Sequence, residues 1–258
     1  MNVNSKTTIS KAGNLANTNR QTAVKESKMK ITTSKLIRWA GLPVMAAGII
    51  FIAIQPIHPP DVLSSVTTGT WAIVTALKTA MCLLGLLGIT GLYARQAEKA
   101  GWLGLAGFLL FSLFFALTLP FAFAEAFILP LLATESPKFV ESILGLASGA
   151  TGGMNLGALA VLFSLGGFVW YIIGGLLFGI ATIRARVLPR WAAVLLSFSA
   201  VLVLAGAMIP HPFDRIMAVP MGLALIWLGY SLFSERRLKV TETLPVTVSP
   251  QLSQTGAD

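Results

Sequence analysis

The sequence predicts an all-α fold: an integral membrane bundle of six transmembrane helices with both termini on the cytoplasmic side. Three observations predict it. Of 258 residues 55% are hydrophobic and only 11% charged, against about 25% charged in an ordinary soluble domain. The apolar residues are grouped in runs of the length that crosses a bilayer, since roughly 20 helical residues span about 30 Å of hydrocarbon. The basic residues collect in alternate connections between those runs, which is the pattern that orients helices in a membrane.

Residues 1–35 carry Lys6, Lys11, Arg20, Lys25, Lys28, Lys30 and Lys35 against Glu26 alone and are otherwise rich in Ser, Thr, Asn and Ala. Such a segment buries too little apolar surface to fold and reads as a disordered basic tail. It lacks the apolar core and small-residue cleavage site of a signal peptide, so the first span is expected to be retained. The spans themselves fall at about 36–56, 70–93, 102–131, 155–183, 191–210 and 216–234. The third and fourth are long enough to need tilt, a kink or an extension beyond the bilayer, and Pro120 is placed to kink the third. Residues 235–258 read as a second polar tail.

Orientation follows from the charges. With the N-terminus inside, the cytoplasmic segments hold Arg38 with the tail, then Arg95 and Lys99, then Arg184, Arg186 and Arg190, then Arg236, Arg237 and Lys239. The opposite side holds only Lys138 and Arg215, with Asp61, Glu135, Glu141 and Asp214. The formal charge of +9 is thereby explained by topology and by attraction to anionic lipid, and nucleic acid is not a partner. Trp39, Trp102 and Trp191 open the three outward-going helices, as interfacial anchors do, and Pro56, Pro120 and Pro210 follow near their outer ends.

Between the third and fourth spans, "SPKFVESILGLASG" places Ser136 as a cap, Pro137 at the first helical position and Gly149 as a stop. A short amphipathic helix over about 137–148 is expected at the outer interface, with Phe139, Val140, Ile143, Leu144 and Leu146 on its apolar face and Lys138, Glu141 and Ser142 wetter. Gly85, Gly88 and Gly91, and the pair Gly175 and Gly179, allow close helix approach; packing within one bundle is favoured over dimerisation. Cys82, the one cysteine, excludes an intrachain disulfide or a cysteine-cluster metal site.

The segment "GGLLFGIATIRARVLPRWAAVLL", residues 174–196, resembles a hairpin of bacterial polytopic membrane proteins of unassigned activity, in which a Leu-Phe-Gly helix end leads through Arg and Leu-Pro-Arg-Trp into the next span. The resemblance covers about a tenth of the chain. It implies a bacterial cytoplasmic membrane and no particular chemistry.

Two stretches read almost alike. "RWAGLPVMAAGIIFIAIQPIHPPD" ends at Asp61 and "RWAAVLLSFSAVLVLAGAMIPHPFD" at Asp214, so His-Pro-x-Asp follows an apolar span twice, by duplication or by interface chemistry alone. Both turns fall on the outer side. His58, Asp61, His211 and Asp214 have the ligand types of a divalent metal centre able to activate water or polarise a carbonyl. The same residues also serve as helix-ending turns and caps or as a proton-sensing pair. The seven-helix zinc hydrolases of the alkaline ceramidase and adiponectin-receptor type use three histidines, and this chain, with two, departs from their ligand set.

Lys78 lies about two turns inside Trp71, and Glu125 follows Pro120. Charges at that depth are costly unless they pair, face the interior or reach water, and their matched depth and opposite sign suggest an ion pair. A structural pair, a polar transport cavity and interfacial snorkelling by Lys78 are the readings open to them. With Arg215 they form a candidate polar cluster in the outer half. No phosphate-binding loop, dinucleotide fingerprint, HExxH or Gly-x-Ser-x-Gly elbow is present, and no catalytic residue is assigned. Three functions follow as expectations: non-enzymatic binding or transport of a small solute or ion through the cluster, metal-dependent hydrolysis at the two turns, or an accessory, scaffolding role. No cofactor is expected beyond that possible divalent metal; the lipid bilayer is the expected partner.

Overall fold

Thr32 opens the first helix: its Oγ1 accepts from the Lys35 backbone N–H at 3.3 Å, so the chain is helical from residue 33, earlier than the end of the expected tail. The computed structural model describes residues 32–148, 153–206, 208–209 and 213–234, and the bulk of both expected tails lies outside them. Helix α1 (Thr33–Trp39) runs through Ala40 into α2 (Gly41–Ala53), which tightens into a 3₁₀ turn, Gln55–Ile57, at Pro56. His58 is extended, φ −70° and ψ 116°, as the residue before a proline must be. A short helix α3 (Leu63–Val66) follows, and Thr68 Oγ1 caps α4 by accepting from the Trp71 N–H at 3.2 Å.

Helix α4 (Gly69–Phe127) doubles back on itself at Gly101, where φ is 59° and ψ −160°. Only glycine adopts that conformation without strain, so the reversal belongs to Gly101, while helical dihedrals continue through Pro120. The reversal lies in the connection expected between the second and third spans, and Pro120 lies inside the second arm. The first arm also stays helical through Lys99, well past the expected end of the second span. Then come α5 (Leu129–Leu132), α6 (Pro137–Ser148) and α7 (Ala158–Ser164), which passes through a π turn, Leu165–Trp170, into α8 (Tyr171–Ala185). Arg186 ends α8 in the left-handed region. Helix α9 (Arg190–Gly206), a 3₁₀ turn over Phe213–Ala218 and α10 (Val219–Ser234) complete the described fold.

Three helical stretches, Thr33–Ile57, Gly69–Phe127 and Arg215–Ser234, are long and apolar enough to cross a membrane, and Tyr171–Ala185 and Arg190–Ala205 are shorter apolar helices. Each long element packs on its neighbour in the chain, and α10 returns against α2 to close a ring. Glycine makes that closure possible. A Cβ on Gly48 would lie 2.6 Å from the Gly222 carbonyl oxygen, and one on Gly229 would lie 2.7 Å from that of Gly41. The two antiparallel helices thus touch backbone to backbone at two levels. Gly107 faces Phe178 and Gly174 faces Phe111 in the same reciprocal way, and the glycines singled out in the sequence, Gly88 and Gly179, receive Val44 and Ser197 of neighbouring helices. Small residues give this close approach its dispersion energy where no hydrophobic drive acts between helices.

The interior is filled by aromatics from α4 and α8, Phe111, Phe114, Phe115, Tyr171 and Phe178, with Val44, Leu196 and Leu225 around them. The outside is apolar too: Leu87, Leu109, Phe123, Phe198, Leu223 and Trp227 are exposed. A water-soluble bundle would carry its charges there; this one carries them at its ends. Trp39, Trp102 and Trp191 are 59%, 84% and 74% exposed, as anchors in a headgroup layer would be.

The two ends differ. At one, Arg38 Nε donates to the Phe233 carbonyl at 2.7 Å, with the guanidinium 5.1 Å from the Phe233 ring. This cation sits on the negative end of α10 and places the last turn of α1 beside the end of α10. This tail end also holds Gln96, whose Nε2 donates to Thr182 Oγ1 at 2.8 Å. At the far end, α6 folds over the bundle with Val140 and Leu144 packed against Trp71, Leu129 and Val66. Ser142, expected to be wet, is buried: it donates to the Lys138 carbonyl at 2.7 Å and accepts from the Met154 N–H at 3.2 Å.

Candidate functional site

The first arm of α4 turns one stripe inward, Trp71, Val74, Thr75, Met81, Cys82 and Gly85, all buried. Lys78 falls on that stripe at helical spacing, so its stem is committed to the interior by its position. On the second arm Ala122, Glu125 and Ala126 are buried together. When the arms fold back at Gly101 the two charges meet: Lys78 Nζ donates to Glu125 Oε2, with side chains 20% and 11% exposed. Matched depth and opposite charge had pointed to this partner. Glu125 is held a second time, because Trp71 Nε1 donates to its backbone carbonyl at 2.9 Å. That carbonyl belongs to the last turn of α4, where carbonyls lose their intrahelical donors.

His58 closes the cluster from above. Its ring meets Trp71 edge-on, centroids 6.3 Å apart, and its Nδ1 is 2.8 Å from the Pro59 carbonyl oxygen. A carbonyl can only accept, so Nδ1 carries the proton and Nε2 of the neutral ring keeps a lone pair. Burial, then the nearby Lys78 and Arg215 charges, lower the imidazole pKa from 6.5 to about 4, against opposing effects of the Pro59 carbonyl and Glu125. The ring is therefore neutral at pH 7.

Arg215 comes from the 3₁₀ turn that precedes α10, which packs on the turn at Gln55–Ile57. It lies 3.5 Å from Asp61 Oδ2, both side chains mostly buried. Arg215 Nε is buried and has no acceptor among the described residues. Asp61 caps no helix; the cap of α4 is Thr68, and Asp61 is turned to Arg215 instead. The far end thus assembles His58, Asp61, Lys78, Glu125 and Arg215 from the first turn, both arms of α4 and the final turn.

The second His-Pro-x-Asp is only partly in view. His211 and the Asp214 side chain lie outside the described residues, although the backbone from Phe213 onward returns beside the first turn. Among the described residues no three His, Cys, Asp or Glu side chains gather as a metal-binding group. The sequence reading did not assign Trp71 its part in the site. The signal was there, since an indole on the buried stripe of an apolar helix must find an acceptor for its N–H. The chain matches no protein-family model, no curated protein and no solved structure.

Proposed function

We propose that the chain is a six-span protein of the bacterial cytoplasmic membrane, with both tails in the cytoplasm, that binds or moves a small solute or ion at its far-end cluster without catalysing a reaction. The observation that carries this reading is the convergence of five ionisable side chains at one end of a bundle whose walls are apolar inside and out. Side chains of that kind are expensive in a membrane and mark ligand or ion sites. The spans, orientation and compartment are supported by the apolar exterior, by the basic residues Arg38, Arg95, Lys99, Arg184, Arg186 and Arg190 of the tail-end segments, and by the resemblance at residues 174–196. The aromatic packing beneath the cluster supports access from the far side, and passage through the bundle requires that packing to part.

The test is ligand-dependent stability in lipid nanodiscs. Monovalent and divalent cations, inorganic anions and small organic solutes are screened for a rise in melting temperature; saturation at 100 times Kd corresponds to about 2.7 kcal/mol. A solute that stabilises wild type but not the His58→Gln, Arg215→Gln double variant is the expected result. Stabilisation by none of them refutes the reading.

A second reading, metal-dependent hydrolysis of a membrane substrate, is favoured by the neutral His58 Nε2 and by the return of the second turn beside the first. In it His58, Asp61, His211 and Asp214 share one divalent ion that polarises a substrate carbonyl. Elemental analysis of protein purified without chelator separates the two. About one metal per chain, lost in both His58→Ala and His211→Ala, would replace the first reading by the second.

A further inference from the structure

We propose that the ligand of the far-end cluster is an oxyanion, a phosphate or carboxylate group, and that Arg215 is its principal donor. This deepens the binding reading above and rests on it. The charges at the far end are unequally satisfied. Lys78 and Glu125 are in direct contact, and Trp71 fixes the backbone of Glu125, so that pair is complete. Arg215 and Asp61 are 3.5 Å apart, longer than the N–H···O contacts of a charge-assisted fork. Arg215 Nε is buried with no acceptor among the described residues.

A guanidinium has five N–H donors and no acceptor, and it does not lose its proton. Its deficit cannot be relieved by titration, only by an acceptor. A cation would have to share a carboxylate that already faces Lys78 or Arg215 and so enter against a positive charge. An oxyanion meets an unoccupied Nε and, with an adjacent N–H, the bidentate geometry that the planar fork matches, with the Asp61 carboxylate beside it opposing its charge. His58, with its proton committed to the Pro59 carbonyl, brings no net charge against it. Arg215 lies in the 3₁₀ turn that leads into the last apolar helix and opens the apolar stretch Arg215–Ser234, which in the spanning arrangement proposed above puts it at the bilayer surface. The same group can therefore arrive as a lipid headgroup phosphate or as a free solute.

The experiment uses the full chain, delipidated in maltoside micelles that contain no phosphate. In one arm sodium phosphate and sodium succinate replace sodium chloride at constant ionic strength; in the other, phosphatidylglycerol is compared with diacylglycerol of the same chains. Melting temperature is read for wild type, Arg215→Gln, Arg215→Lys and Asp61→Asn. The expected result is that an oxyanion probe stabilises wild type, Arg215→Gln loses at least tenfold in apparent affinity, Arg215→Lys loses less, and Asp61→Asn binds as well as wild type or better. Stabilisation by phosphatidylglycerol alone assigns the site to lipid, and by phosphate or succinate assigns it to a solute. Wild-type affinity in Arg215→Gln overturns the proposal, and so does loss of binding in Asp61→Asn, which decides the matter if Arg215→Gln does not fold. Stabilisation by cations and by no oxyanion overturns the ligand class while leaving the binding reading intact. Stabilisation by neither removes both.

Discussion

Replacing Lys78 by methionine keeps most of the buried stem and removes the ammonium, leaving Glu125 with its side chain 11% exposed and no cation in contact. Removing one partner of a buried pair costs about 3–5 kcal/mol, and the lower end applies because Lys78 is itself 20% exposed and some solvent screening remains. A loss of about 3 kcal/mol is therefore expected for Lys78→Met. The reverse change is milder. Glu125→Leu leaves a lysine whose four-carbon stem can carry its charge toward the far surface, and a loss of about 1–2 kcal/mol is expected. Replacing both removes two charges that had to be desolvated, and apolar substitutes of similar volume are close to neutral, within about 1 kcal/mol of wild type. The coupling energy from the cycle, the two single losses less the near-zero double one, is then about 4–5 kcal/mol. Unfolding in mixed micelles with increasing denaturing detergent, followed by tryptophan fluorescence, measures all four proteins. Additivity, with the double variant as unstable as the sum of the single ones, would refute the claim that these side chains act as a pair.

Three further outcomes follow from the geometry. Gly48→Ala is expected to lose about 1–2 kcal/mol, because its Cβ would lie 2.6 Å from the Gly222 carbonyl, a backbone atom, and overpacking in the upper part of its range, about 2–3 kcal/mol, exceeds the gain in helix propensity of about 1 kcal/mol. Gly69→Ala, with nothing within 4 Å, is the neutral control, and equal effects at the two sites would contradict the close approach. For His58, folded near pKa 4 against 6.5 ordinarily, the unfolded chain takes up the proton first as pH falls. Its contribution to stability is complete above pH 6.5 and is lost toward pH 4, so chelator-treated wild type should lose stability over that window faster than His58→Gln; equal slopes would sink the assignment. In a Cys82→Ala background, Glu141→Cys should react with an impermeant maleimide on intact cells and Arg190→Cys only after permeabilisation. The opposite pattern reverses the orientation, and labelling of both from outside argues against the spanning arrangement.

The hydrophobic runs made the all-α class and the apolar helices legible because a chain that buries every backbone group in lipid has few alternatives to helix. The amphipathic helix at 137–148 was legible from its periodicity and its proline, and it appears as Pro137–Ser148. Local signals had less to say about junctions. The reversal between the spans at 70–93 and 102–131 was expected from the sequence, and the structure fixes it at Gly101 with its positive φ. Gly41, Gly48, Gly222 and Gly229 carry no mutual label in the sequence, because which two faces touch is decided when the last helix returns to the first.

The candidate site divides along the same line. Charge type and depth within an apolar run are properties of the chain, so Lys78 and Glu125 stood out and their pairing could be anticipated. What the tertiary structure alone decided is that the final turn delivers Arg215 to Asp61, that Trp71 holds the Glu125 carbonyl, and that one guanidinium N–H is left buried without a described partner. A side chain's type is written locally, but whether its hydrogen-bonding capacity is met depends on groups brought from distant parts of the chain by packing, and that balance singles out Arg215.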